Sequence, residues 1–317
     1  MQLWRPQWRL NPDCDLANHS EHFGAEQSLE PYETCCLAEV FLPNITSKEE
    51  LLDVLEYAYR INKHSLALKA HHKETERVVH KNMRMGIGMT GVLQCTEEQR
   101  SWLPEAYEYL RAFDVEYSAD NDMPVSIKLT TVKPSGTLSL LPGVTPGIHP
   151  AYSRYMLRRI RISSSHPLVA TCREHGYEIE YMRNFDGSYD YGTVVVSFPF
   201  AYPDSVKLAC EMSAIDQLEE IRRMQREWSD NSVSCTVYYK QEELPEIKRY
   251  LKENYRDCFK SLSFLLHSNH GFDQAPLEEI SKEVYEELVK NTRTIERVEY
   301  ASFESDDECS SGACPVK

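Results

Sequence analysis

Val125-Ser-Ile-Lys-Leu-Thr-Thr-Val-Lys-Pro-Ser-Gly-Thr137 is the stretch of this sequence that says most about its fold. Apolar and polar residues alternate up to Val132, which is the pattern of a β-strand. The strand is predicted to end at Lys133, because Pro, Ser and Gly favour turns. A turn of this kind offers free backbone N–H groups and hydroxyls that can bind a phosphate. Such turns are common, so this motif alone is weak evidence for a phosphate site.

Helical and strand patterns alternate on both sides of this stretch. Ser47-Lys-Glu-Glu50 is a capping box that begins a helix, and Thr96 with Gln99 begins another. Further helices are predicted over 165–176, 216–228, 243–254 and 281–291, and further strands over 193–200, 233–239 and 262–266. The alternation predicts an α/β architecture with a largely parallel sheet.

Composition excludes several classes of protein. The chain has 317 residues, of which 41% are hydrophobic, which is enough for one large domain or two modest ones. No apolar run approaches the roughly 20 residues that span a bilayer, and the first residues lack the apolar core of a signal peptide. The formal net charge of −15 disfavours binding to nucleic acid or to anionic membranes. A cytoplasmic protein is expected.

The two ends of the chain differ from its middle. Residues 1–23 show no clean period and are interpreted as irregular, whereas 24–302 carry the folded domain. Over 303–317 the apolar residues thin out, which predicts a flexible tail. This tail contains Cys309-Ser-Ser-Gly-Ala-Cys314, a mobile dithiol that can reduce a disulfide elsewhere by exchange. Two incidental cysteines, or half of a zinc site, are the alternatives.

Two further motifs have a functional and a structural interpretation. Cys35-Cys36 is a vicinal pair: either one thiol faces a site and the other the core, or both only pack, and the pair taken alone favours packing. Gly86, Gly88 and Gly91 form G-x-G-x-x-G, but no clear strand precedes them and no acidic residue follows at the right distance. Dinucleotide binding is therefore disfavoured, and close packing of a helix on the sheet is predicted.

Taken in order, these motifs resemble the C-terminal half of ribonucleotide reductase catalytic chains, most closely the adenosylcobalamin-dependent (class II) ribonucleoside-triphosphate reductases. The resemblance runs from about Ala25 to Lys317. It rests on Ala25-Glu-Gln-Ser-Leu-Glu-Pro-Tyr-Glu-Thr-Cys-Cys-Leu37, Arg84-Met-Gly-Ile-Gly-Met-Thr-Gly91, Lys133-Pro-Ser-Gly-Thr-Leu-Ser139, Trp228-Ser-Asp-Asn-Ser-Val-Ser-Cys-Thr-Val-Tyr-Tyr239, Gln274-Ala-Pro276 and the tail cysteines.

The resemblance implies a ten-stranded α/β barrel, of which this chain would form the C-terminal half. In that family a finger-loop cysteine becomes a thiyl radical, started by adenosylcobalamin, and takes the 3′-hydrogen of a ribonucleoside triphosphate. A glutamate helps to deprotonate the 3′-hydroxyl, and two cysteines reduce the 2′-carbon. A tail dithiol re-reduces them and is served by thioredoxin or a similar dithiol reductant.

Individual residues match the family's motifs. Glu26 matches the glutamate, and Cys35 matches one of the redox pair, with Cys36 the weaker choice. Cys309 and Cys314 match the tail pair. The substrate-phosphate loop is matched by Pro134, Ser135, Gly136, Thr137, Leu138 and Ser139.

Two departures from the family pattern affect the predicted activity. The family's Asn-Pro-Cys-x-Glu reads His22-Phe-Gly-Ala-Glu26 here, so Gly24 occupies the position of the radical cysteine. The family's N-terminal half is also missing from this sequence. We therefore expect a fragment, split or frame-shifted product that is inactive alone and needs an N-terminal reductase portion. The alternatives are a class I-type large chain, whose radical-transfer tyrosine pair Tyr238-Tyr239 would mimic, and a non-catalytic remnant.

Overall fold

The computed structural model describes residues 20–21, 26–267 and 273–296, and these divide into two units. The described residues up to Arg154, together with 202–267, form the first unit. Residues 155–201 and 273–296 form the second. The predicted domain span 24–302 thus contains both units. The irregular segment, apart from Ser20–Glu21, and the predicted tail lie outside the described residues.

Strands and helices are numbered in chain order. The strands are β1 (Ser20–Glu21), β2 (Ser28–Leu29), β3 (Leu37–Phe41), β4 (Gly86–Thr90), β5 (Thr130–Thr131), β6 (Tyr155–Ser163), β7 (Glu178–Arg183), β8 (Tyr189–Ala201), β9 (Thr236–Tyr239), β10 (Ser263–Leu266) and β11 (Leu277–Glu279). The α-helices are α1 (Lys48–Leu66), α2 (Lys73–Asn82), α3 (Glu97–Ser101), α4 (Leu103–Asp120), α5 (Pro167–Glu174), α6 (Ala214–Glu227), α7 (Leu244–Cys258) and α8 (Lys282–Asn291).

Parallel strands organise the first unit. β3, β4 and β5 are hydrogen-bonded in that order, and β9 and β10 form a second parallel pair. A parallel bridge between Val132 and Val233 joins the two groups, and the Ser234 N–H donates to the Val132 carbonyl at 2.9 Å. The described part of this unit therefore has five successive parallel strands, in the order β3-β4-β5-β9-β10, which is half the number in a ten-stranded barrel.

Helices cover one face of these strands. On that face Ile87 and Met89 of β4 are fully buried in a core that includes Leu55 of α1, Leu110 of α4 and Leu218 of α6. Apolar residues that recur at helical spacing produce this single buried stripe on each helix.

The predicted helix starts at Ser47 and Thr96 agree with the structure. The Ser47 side chain accepts from the Glu50 N–H at 3.1 Å. Thr96 and Gln99 cap each other reciprocally, as a capping box requires.

The glycine motif has a different role from the predicted one. Gly86 and Gly88 lie inside β4, and a Cβ on Gly86 would be 2.7 Å from the Leu37 side chain and 2.8 Å from that of Gln27. On Gly88 it would meet the carboxylate of Glu39. The glycines therefore make room for side chains on the face of β4 that the helices do not cover. The prediction that they allow a helix to pack closely is wrong.

The second unit departs from the predicted parallel sheet. Its four strands are antiparallel and lie in the order β11-β6-β8-β7. α5 contributes Val169 and Cys172 to a small core against Val194 and Val196 of β8. The largely parallel sheet is thus found only in the first unit, while the α/β class is confirmed for the chain.

The strand predicted up to Val132 is reduced to β5, with Val132 in the isolated bridge that follows it. Within the described ranges, none of the helices combines the length and hydrophobicity that a membrane crossing requires.

Candidate active site

Glu26 and Cys35 lie close together beside the parallel strands. Glu26 is 6% exposed, and its backbone carbonyl accepts from the Ser232 N–H at 2.9 Å, which anchors it to the segment before β9. Burial, followed by the negative charge of Glu26, raises the pKa of the Cys35 thiol to about 11. The thiol is therefore protonated at neutral pH, a state that suits a hydrogen donor better than a nucleophile.

The vicinal cysteines have different surroundings. The Cys36 thiol donates to the Asn62 carbonyl of α1 at 3.8 Å and packs against the main core. Cys35 instead responds to the charges of Glu26, Glu33 and Lys133, the last of which lowers its pKa. Cys36 thus faces the core and Cys35 a group of charged residues, which is the first of the two arrangements that the sequence left open.

The predicted phosphate loop, Pro134–Ser139, follows β5 and Lys133. Ser135 has a φ of +46°, and the Ser139 N–H donates to the Ser135 carbonyl at 3.0 Å, so the chain turns sharply here. Ser139 is 1% exposed, and its hydroxyl has no hydrogen-bond partner in the structure. Pro134, Gly136, Thr137 and Leu138 are exposed.

The turn keeps unused hydrogen-bond donors. In the described structure the N–H groups of Gly136 and Thr137 donate to no carbonyl or side chain. No atom lies within 4 Å of the position that a Cβ on Gly136 would occupy. Buried polar groups are normally hydrogen-bonded, so the buried Ser139 hydroxyl is expected to have a partner that the chain does not provide. Together with the two free backbone N–H groups, this hydroxyl forms a set of donors that suits an anion.

Residues 142–150 hold this turn in place. Gly147, with φ at +52°, lies against the carbonyl of Lys133, and its own carbonyl accepts from the Val92 N–H at 3.1 Å. His149 Nε2 accepts from the Thr236 N–H at 3.0 Å, which leaves Nδ1–H to donate to the Pro146 carbonyl at 3.1 Å. The segment therefore links the end of β5 to the start of β9.

Sequence reasoning missed a buried carboxylate beside the turn. Glu39 of β3 accepts a hydrogen bond from the Thr90 hydroxyl, and its Oε2 lies 3.4 Å from Lys133 Nζ. A buried acid two residues into a strand, with Gly-x-Gly on the neighbouring strand, was the available signal. This signal depends on β4, a strand that the sequence does not predict.

Gly24, Cys309 and Cys314 lie outside the described residues. Glu26, Cys35 and the loop residues 134–139 lie within the described ranges. Lys133, directly before the loop, is near enough to Cys35 for its positive charge to lower the pKa of the Cys35 thiol.

Known proteins of one enzyme family are similar to this chain. Residues 126–265 match the family model of the ribonucleotide reductase barrel domain. A probable adenosylcobalamin-dependent ribonucleoside-triphosphate reductase of Dictyostelium discoideum is 33% identical over 304 residues, which are 92% of this chain and 39% of that protein. The adenosylcobalamin-dependent ribonucleoside-triphosphate reductase of Euglena gracilis is 34% identical over 84% of this chain and 37% of its own length.

A solved structure of the same enzyme family has a similar fold. The crystal structure of a B12-dependent (class II) ribonucleotide reductase superposes with a TM-score of 0.74 and 28% identity, over 89% of this chain and 43% of that one. Fold and sequence define a homologue of the ribonucleotide reductase catalytic barrel. More particularly, the chain is related along most of its length to adenosylcobalamin-dependent ribonucleoside-triphosphate reductases, and the predicted resemblance is confirmed. It spans about two fifths of the length of these curated relatives.

Proposed function

We propose that this chain forms the C-terminal half of the catalytic barrel of an adenosylcobalamin-dependent ribonucleoside-triphosphate reductase. The observation that carries the proposal is the pair of buried Glu26 and half-buried Cys35, near Lys133 at the start of a turn with free amides. The names of the relatives supply the substrate class and the cofactor.

Each of these residues would have a separate role in the reaction. The turn 134–139 would hold the phosphates, and the Glu26 carboxylate would accept the proton of the 3′-hydroxyl. Cys35 and a second cysteine from the N-terminal portion would supply two electrons and two protons. The 2′-hydroxyl would then leave as water while the two thiols become a disulfide. Cys309 and Cys314 would return that disulfide to thiols by exchange, and thioredoxin or a similar dithiol would reduce them in turn.

Adenosylcobalamin would supply the initiating radical when bound. Within the described ranges, the groove of about 520 Å³ between α1 and α4 is lined by acids such as Glu56 and Glu116 together with Arg60 and aromatic side chains, and it is not assigned to the cofactor. The cofactor is assigned from the names of the relatives, and no residue of this chain is assigned to it. The seven cysteines described are all free thiols, which supports a reducing compartment such as the cytoplasm.

Complementation tests this function. The chain is co-expressed with the N-terminal portion of a related reductase, as it stands and with Gly24→Cys, and ribonucleoside-triphosphate reduction is measured with adenosylcobalamin and a dithiol. We expect turnover only with Gly24→Cys, because glycine cannot form a thiyl radical. Cys35→Ser is the matched inactive control, and Cys309→Ser should abolish turnover with thioredoxin while sparing a small dithiol.

Two results would contradict the proposal. Turnover by the unmodified chain alone would show that activity requires neither a cysteine at position 24 nor an added N-terminal portion. A complemented Gly24→Cys protein that folds but never reduces the nucleotide would favour a non-catalytic remnant.

The class I-type alternative depends on the tyrosine pair Tyr238-Tyr239, whose rings have different neighbours in the described structure. The Tyr238 ring contacts Tyr152, with centroids 5.5 Å apart, whereas the Tyr239 ring contacts Phe264 at 6.2 Å. Neighbours along a strand point to opposite faces. This geometry favours the cobalamin-dependent function, and a spectral titration of the complemented protein with cobalamin distinguishes the two.

A further inference from the structure

A buried ion pair lies at the foot of the predicted phosphate turn. Lys133 Nζ is 3.4 Å from Glu39 Oε2, and their side chains are 17% and 2% exposed. Burial raises the pKa of Glu39, and the Thr90 hydroxyl and Lys133 both oppose this rise. A charge in this position needs a partner, because an unpaired buried charge is strongly destabilising.

The position of Glu39 is fixed from several sides. Its Oε1 accepts from the Thr90 hydroxyl, and the absence of a side chain at Gly88 leaves room for the carboxylate. Ser135, within the turn, is near enough to favour the charged form of Glu39, although its hydroxyl makes no hydrogen bond of normal geometry. Glu39 therefore connects Lys133 to the turn itself.

Lys133 keeps most of its hydrogen-bonding capacity. An ammonium has three donors. Its contact with Glu39 is longer than the roughly 2.7–2.9 Å of a good charge-assisted hydrogen bond, and the described residues give it no other acceptor. The same turn holds the unsatisfied Ser139 hydroxyl and the free N–H groups of Gly136 and Thr137. The foot of the turn thus has a surplus of donors.

We infer that the Lys133 ammonium is a direct ligand for the phosphates at this turn, and that Glu39 is its resting counter-ion, which the anion partly replaces. The inference rests on the proposed function only in taking the anion to be a polyphosphate. Glu39 keeps the ammonium at the turn when no anion is bound, and its own charge weakens the binding of the anion.

The two residues then have opposite effects on binding. Lys133→Gln removes a charge-assisted contact, so affinity should fall about tenfold. Glu39→Gln keeps the shape and an acceptor for Thr90 but removes the repulsive charge, so affinity should rise a few-fold. A pair with a purely structural role predicts that both variants weaken binding alike.

Tripolyphosphate binding to the full chain, measured by titration calorimetry at constant ionic strength, tests this. Lys133→Arg should restore binding, and the exposed Lys252→Gln is the matched loss of one positive charge. Thermal unfolding of each variant shows that the comparison is made between folded proteins.

Three outcomes would overturn the inference: no binding by the unmodified chain, unchanged affinity in Lys133→Gln, or weaker binding in Glu39→Gln. The proposed function is judged separately by the complementation assay. A complemented enzyme that turns over equally well with Lys133→Gln would refute the inference and leave the reductase function in place.

Discussion

Gly147 lies directly against the backbone of Lys133: a Cβ at position 147 would be 2.2 Å from the Lys133 carbonyl oxygen. No real atom pair of this kind approaches so closely, and the φ of +52° at Gly147 already disfavours any other residue. This contact joins segment 142–150 to the start of the predicted phosphate turn.

Three glycine-to-alanine variants should therefore differ in stability. Gly147→Ala should lower the free energy of unfolding by about 3 kcal/mol or more, because a backbone atom must move. Gly88→Ala should cost about 1–2 kcal/mol, since only the Glu39 carboxylate must shift and lose its hydrogen bond. Gly136→Ala should change it by less than about 0.5 kcal/mol, because nothing lies within 4 Å. Urea unfolding measures all three, and equal losses would refute the packing argument.

A buried lysine should be essential for the stability of the first unit. Lys63 Nζ and Asp114 Oδ1 are 2.9 Å apart, both side chains are fully buried, and Lys63 also donates to the Pro124 carbonyl at 2.7 Å. Lys63→Met leaves Asp114 charged and unpaired, which should cost about 3–5 kcal/mol. Lys48→Met removes an exposed pair with Glu105 and should cost less than about 1 kcal/mol. Chemical denaturation measures both, and similar losses would contradict the assignment.

The reactivity of Cys35 should depend on Glu26. With a pKa raised to about 11, Cys35 should react with iodoacetamide at pH 8 roughly a hundredfold more slowly than a thiol of ordinary pKa. Glu26→Gln removes the largest electrostatic cause of this rise and should accelerate the reaction a few-fold. The exposed Glu246→Gln should leave it unchanged. Peptide mass spectrometry follows each cysteine separately, and equal rates in both variants would refute the predicted proximity.

His149 should make stability depend on pH. Burial lowers its pKa below the ordinary value of 6.5. The unfolded chain therefore takes up a proton at higher pH than the folded one. Stability from this group is complete above pH 6.5 and declines as the pH falls toward the folded pKa, by up to about 1.4 kcal/mol per unit.

Substitution of His149 isolates this effect. His149→Ala should cost about 1–3 kcal/mol at pH 8, since the Thr236 N–H loses its acceptor, and the cost should shrink toward pH 5. The exposed His72→Ala serves as the control. Urea unfolding between pH 5 and 8 gives the slopes, and a cost for His149→Ala that does not vary with pH would contradict a neutral, buried imidazole.

The sequence by itself determined the features that depend on neighbours along the chain. Ser47, Thr96 and Ser281 each cap the helix predicted to begin there, because a side-chain hydroxyl reaches a backbone N–H three residues later. The order of the motifs also identified the family. The caps can be predicted because each depends on a hydrogen bond between residues only three positions apart, with which few distant contacts compete.

Only the tertiary structure decided what the uncovered face of the strands contains. Glu39 and Lys133 are far apart in sequence and meet because β3, β4 and β5 align in one register. Gly86 and Gly88 could be interpreted correctly only once the side chains beside them were known. The antiparallel sheet of the second unit likewise depends on pairing between β6 and the distant β8 and β11. Which strands pair, and in which direction, is decided by packing between segments that lie far apart in the chain.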